Sequence, residues 1–129
     1  MDCIFCKIIN GEIPSYTIYE DDYVKAFLDV NPVSDGHTLI IPKKHFENIF
    51  DMDSETLTHI EIASQKVAKI LKEKLNIQGI TRMQNNGLGQ DVKHYHMHLI
   101  PRRENDKISI VHENSVEDVK EIFEILKKL

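Results

Sequence analysis

The chain has 129 residues, of which 41% are hydrophobic and 29% charged, and a formal net charge of −5 at pH 7. That size and balance predict one domain, residues 1–129, with a real core, and the acidic charge argues against nucleic-acid or anionic-membrane surfaces, which need clustered Lys and Arg. No run of signal-peptide form and no stretch of membrane-span length occurs, so the expected compartment is the cytoplasm.

Residues 2–10 are short and mostly apolar and predict one or two helical turns, closed by Gly11 and followed by Pro14. Residues 15–19 and 23–29 read as strands separated by the acidic turn Glu20-Asp21-Asp22, and 38–41 as a third strand stopped by Pro42. Residues 53–75 form the clearest helix. Leu57, Ile60, Ser64, Val67, Leu71 and Leu75 recur at three- and four-residue steps, with Asp51, Asp53 or Ser54 as cap and Lys72 and Lys74 near the negative end. Residues 79–85 predict a fourth strand, followed by a polar, glycine-bearing loop over 86–91 and a histidine-bearing strand over 94–100 that ends at Pro101. Ser115, Val116, Glu117 and Asp118 suggest a capping box for a short last helix with Val119, Ile122, Phe123 and Leu126 on one side. Strands grouped around one long helix predict an α+β fold with an antiparallel meander sheet.

Two cysteines occur, Cys3 and Cys6. A redox dithiol at this spacing sits between a strand and a helix, and no strand can precede residue 3. Two thiolates so spaced suit two corners of a tetrahedral zinc site that needs two more ligands, and inert packing is an equal alternative.

The strongest signal is the run His94-Tyr95-His96-Met97-His98-Leu99-Ile100. In a strand the imidazoles share one face about 6.5–7 Å apart, while Tyr95, Met97 and Leu99 point into a core. Three readings compete: a strand that happens to carry histidine, a zinc site whose third ligand is His98, His45 or His37, and nucleophilic catalysis on phosphorus. The preceding Asn85, Asn86, Gly87, Gly89 and Gln90 favour the last, because glycines admit a ligand close to the backbone and turned N–H groups cradle anions.

The segment 89–100 resembles the signature of the histidine-triad family, in which three histidines alternate with apolar residues. The likeness extends to Ile4-Phe5-Cys6-Lys7-Ile8-Ile9 with Glu12-Ile13-Pro14, to Phe27-Leu28-Asp29-Val30, and to the block from His37 to His45. It is nearest to the Hint-type nucleoside phosphoramidate hydrolases. The resemblance implies hydrolysis of purine nucleoside 5′-phosphoramidates by a homodimer joined edge to edge. It implies His96 as the nucleophile, flanked by His94 and His98 as the other catalytic histidines. Asn85, Gly89, Gln90 and Asp91 would hold the phosphate and Asp29 the ribose hydroxyls, while Ile4, Phe5, Ile8, Phe27 and Val30 would line the purine slot. Eukaryotic members carry serine at position 91, so the backbone N–H of Asp91 is expected to serve and its carboxylate to point away or be protonated. Members with a cysteine pair bind structural zinc, which implies Cys3, Cys6, His45 and His94 as ligands. His37 is given no role, and His59 and His112 are read as surface residues. Alternatives are hydrolysis of dinucleoside polyphosphates, nucleotidyl transfer, a zinc hydrolase built on the triad, and a non-catalytic nucleotide-binding module.

Overall fold

The computed structural model describes residues 2–109 and 118–127. The chain opens with α1 (Ile4–Ile9), whose N-cap Cys3 accepts the Cys6 N–H through its sulfur. Gly11, at φ +80°, ends it: the Gly11 N–H reaches Ile8 O and the Glu12 N–H reaches Lys7 O, a Schellman closure that needs the left-handed conformation glycine adopts cheaply. Next come β1 (Thr17–Glu20) and β2 (Val24–Leu28), joined by a turn in which the Asp21 carboxylate accepts the N–H groups of Tyr23 and Val24. They are followed by β3 (Thr38–Pro42), α2 (Ser54–Lys74), β4 (Gly79–Met83), β5 (Met97–Arg102) and α3 (Val119–Leu126).

The strands form one antiparallel sheet in the order β1-β2-β3-β5-β4. The predicted α+β class therefore holds, with a refinement in topology. A meander runs through β1, β2 and β3, and α2 then carries the chain past the open edge so that β4 forms the outer strand. The chain turns back and β5 fills the gap between β3 and β4. Two strand boundaries differ from expectation, since Pro42 and Pro101 lie inside β3 and β5. Each sits at or next to its strand's end, where one missing N–H costs a single ladder bond.

α2 forms as its periodicity predicts, with Asp53 as N-cap accepting the Thr56 N–H at 2.7 Å. Its buried residues Ile60, Ala63, Val67 and Leu71 pack on one face of the sheet against Val24, Ala26, Ile40, Tyr95 and Leu99. Fully burying a side chain such as Leu99 stabilises the fold by about 1.5–3 kcal/mol, so this layer anchors β5 firmly. The opposite face carries a smaller cluster of Cys3, Phe5, Ile8, Phe27, Leu39 and Ile41, which seats α1 across β2 and β3. His98 projects to this second face, because its partner in β3 is Leu39 and its neighbours Met97 and Leu99 belong to the α2 side. Asp118 caps α3, which buries none of its residues; the Ser115, Val116 and Glu117 part of the expected capping box, and His112, lie outside the described residues.

Candidate active site and metal centre

Only the last histidine of the run lies in regular strand. β5 begins at Met97, so His94 and His96 occupy the irregular segment that leads into it. The expected single row of three imidazoles is replaced by two separate sites. The physical reason is the Tyr95 N–H bond to Phe46 O at 2.8 Å, which pairs this segment with the loop after β3 instead of extending the ladder. Tyr95 still plunges into the core, at 2% exposure, and throws its two neighbours to the other side.

His94 is fully buried against the N-terminus. Its Nδ1 lies 3.4 Å from Cys3 Sγ, 3.6 Å from Cys6 Sγ and 3.1 Å from His45 Nδ1, and Cys6 Sγ is 3.3 Å from His45 Nδ1. Zn–S bonds of about 2.3 Å and Zn–N bonds of about 2.05 Å at tetrahedral angles separate sulfur from nitrogen by about 3.6 Å and nitrogen from nitrogen by about 3.4 Å. The four groups therefore fit zinc in chemistry and in spacing. The tautomer fits as well: His94 Nε2 is 2.9 Å from Pro42 O, which can only accept, so Nε2 carries the proton and Nδ1 turns its lone pair to the centre. Burial pushes His94 down to about 4 and so keeps it neutral, as a ligand must be. Burial, then the neighbouring Cys3, pushes the Cys6 thiol up to about 11 in the metal-free chain, a penalty that a cation at the centre would reverse.

His96 faces the other way. Its Nδ1 donates to His94 O at 2.8 Å, which turns Nε2 the other way, toward Asp91. Phe5 meets the rings of both His94 and His96 edge-on, at 5.8 and 5.1 Å between centroids, and fixes their planes. His98 stands beside His96 at 5.0 Å. Its Nδ1 is 2.9 Å from Nε2 of His37, which the sequence offered only as a candidate third zinc ligand. The Val33 N–H donates to His37 Nδ1, so the neutral His37 carries its proton on Nε2 and donates it in a hydrogen bond to His98 Nδ1. His98 then presents an N–H at Nε2. Burial first, then His96 and His37, pushes His98 down to about 4, and burial lowers His37, so both remain neutral donors at neutral pH. Asp29 Oδ2 lies 3.6 Å from His37 Nε2, and the Asn31 N–H holds its Oδ1 at 2.8 Å. The available signal for His37 was position: an imidazole next to the first residue of a strand buried along its whole length.

Between α1 and the sheet is a cavity of about 240 Å³. Its walls bring together Ile4, Phe5, Ile8, Phe27, Asp29, Val30, Asp91, His96 and His98 from the expected set, and add Ile13, Leu39 and Val92. Asn85, Gly89 and Gln90 do not line it. Gln90 is buried and committed to the loop: its amide nitrogen donates to Glu47 O and Val92 O, and its oxygen accepts the Gly87 N–H. Its role here is a brace that shapes the loop, in place of the expected phosphate ligand. Nor does Asp91 point away. Its Oδ1 lies 3.2 Å from His96 Nε2 and also accepts the Val92 N–H at 2.9 Å. His59 stacks on Tyr23 at the surface, 3.6 Å between centroids, as expected of helix surface.

A family model for the HIT domain matches residues 10–105. The chain belongs to the HIT family. An uncharacterised HIT-like protein of Methanocaldococcus jannaschii is 46% identical over 129 residues, covering 98% of both chains. The adenosine 5′-monophosphoramidase of Saccharomyces cerevisiae is 44% identical over 104 residues, 79% of this chain and 63% of the yeast protein. A HIT family crystal structure from Bacillus anthracis superposes with a TM-score of 0.90 at 41% identity, covering 98% of this chain and 94% of that one. A Zn-bound histidine triad protein from Mycobacterium smegmatis superposes with a TM-score of 0.81 at 36% identity, covering 89% and 85%. Among the described residues, no helix is long and apolar enough to cross a membrane.

Proposed function

We propose that the protein hydrolyses purine nucleoside 5′-phosphoramidates through a nucleotidyl intermediate on His96. The observation that carries this reading is the Nδ1–H bond from His96 to the His94 carbonyl, which directs Nε2 toward an apolar slot ending in Asp29. The base lies among Phe5, Ile8, Phe27 and Leu39, with Ile4 and Val30 at the rim, and the ribose hydroxyls meet the Asp29 carboxylate. The backbone N–H of Asp91 holds the phosphate together with the His98 N–H. Nε2 attacks phosphorus and the P–N bond breaks. The departing amine nitrogen takes up a proton from solvent. Water then attacks phosphorus, the P–Nε2 bond breaks, and the proton released from the water returns to solvent. The yeast monophosphoramidase supports the substrate class by its identity to this chain.

The same reading makes Cys3, Cys6, His45 and His94 a structural zinc site, supported by donor chemistry and by the Zn-bound relative. Through these four residues a bound zinc would tie the N-terminus to the His94 backbone. Residues 1–129 form one such domain, in a reducing cytoplasm that suits two unbridged thiols, and two copies join through an open sheet edge at β1 or β4. His96→Ala tests the mechanism: AMP binding persists while turnover of an AMP–amine conjugate falls by several orders of magnitude. Unchanged turnover refutes it. Diadenosine tetraphosphate assayed alongside separates the phosphoramidate reading from that of a dinucleotide hydrolase.

A further inference from the structure

Asp91 closes the reactive end of the slot. Its side chain is 80% exposed, yet its Oδ1 stands 3.2 Å from His96 Nε2. The residue also belongs to two cavities at once. One is the slot that ends in Asp29; the other is a groove of about 520 Å³ that shares Ile4, Asp91 and Val92 with it and continues past His45 and Lys93.

A nucleophile and its phosphorus must come within about 3–3.5 Å for attack, so phosphorus takes the place the carboxylate holds in the free protein. The exposed Asp91 side chain swings aside to admit it and remains next to the reacting group. With the nucleoside in the slot, the leaving group extends away from it, past residue 91 and into the second groove. Lys93 also lines the groove, but its Nζ is turned onto the carbonyls of Gly87 and Gln90 at 3.4 and 3.2 Å instead of onto the carboxylate. Glu47 adds to the negative sign there, while Asp2 faces Lys7 Nζ at 3.9 Å.

Building on the hydrolase reading, we propose that Asp91 sets leaving-group specificity: the site selects phosphoramidates whose amine carries a second, cationic group, such as a diamine, and disfavours those with an anionic tail. A unit charge about 6 Å from the carboxylate, at an effective dielectric of about 40–80, changes transition-state binding about three- to tenfold. Cationic and anionic tails move in opposite directions, so they separate by roughly tenfold or more.

The test uses three AMP phosphoramidates of matched length, made with 1,3-diaminopropane, butylamine and β-alanine. Their kcat/KM values are measured for the wild-type protein, Asp91→Asn and Asp91→Ser. The wild-type order is expected to be cationic above neutral above anionic with a span of at least tenfold, shrinking at high salt. Both variants are expected to reduce the span to about twofold, whatever they do to the absolute rate. A wild-type span under twofold, or an equal span in the variants, overturns the assignment to Asp91 and leaves the hydrolase reading standing. No turnover of any of the three by wild type overturns both.

Discussion

Acidification of the metal-free protein should remove stability in a window that belongs to its buried histidines. His94 and His98 are each driven by burial from the ordinary 6.5 down to about 4, and His37 moves in the same direction. Below pH 6.5 the unfolded chain takes up protons that the folded chain refuses, so stability falls as the pH drops and levels off only near pH 4. For one histidine displaced from 6.5 to about 4, the loss between pH 7 and pH 5 is about 2 kcal/mol. His94 and His98 together lose about 4 kcal/mol, a large share of the roughly 5–15 kcal/mol that holds a domain folded. The carboxylates that folding lowers, among them Asp21, Asp51 and Asp53, start from an ordinary 3.8 and contribute only at lower pH. Urea unfolding with chelator present, at half-unit steps from pH 7.5 to 5, isolates the histidine window. His98→Asn should remove about half of the slope. A stability independent of pH between 7 and 5 refutes the account of neutral, desolvated imidazoles, and an unchanged slope in His98→Asn refutes the share assigned to His98.

Metal analysis should find one zinc per chain, lost in Cys3→Ser, with the melting temperature falling more than the rate per folded molecule; equal metal content in both proteins removes Cys3 as a ligand. Asp29→Ala should reduce the preference for a ribonucleotide over its 2′,3′-dideoxy analogue by at least about tenfold, one charge-assisted hydrogen bond being worth about 1.5–3 kcal/mol, and competition binding reads this directly. Gly36→Ala should cost about 2–5 kcal/mol, because φ is +94° and the new Cβ meets Leu75 Cδ1 at 2.6 Å. Gly87→Ala, at φ +83° in open space, should cost only the conformational strain of about 1–2 kcal/mol. Chemical denaturation of the pair checks that difference, and equal losses contradict the packing argument at Gly36.

By itself the sequence determined what depends on the repeat of the backbone. The spacing of Ile60, Ser64, Val67 and Leu71 marks α2 and the side it buries, and Asp53 marks its start. Alternation sends Tyr95, Met97 and Leu99 to the α2 side and their neighbours to the other. Family likeness added Asp29 and the four metal-type ligands, which the fold brings together across as many as 91 residues. Contacts between distant segments needed the tertiary structure. Inserting β5 between β3 and β4 places His98 against His37, 61 positions away, and no local pattern encodes that meeting. Pairing of Tyr95 with Phe46 divides the histidine run, giving His94 to the thiols and His96 to the cavity. Loop closure turns Gln90 into a brace and brings the Asp91 carboxylate to His96. Side-chain period is a property of a few consecutive residues, whereas partner choice follows from which faces the whole chain must bury, and that is settled only when the sheet is assembled.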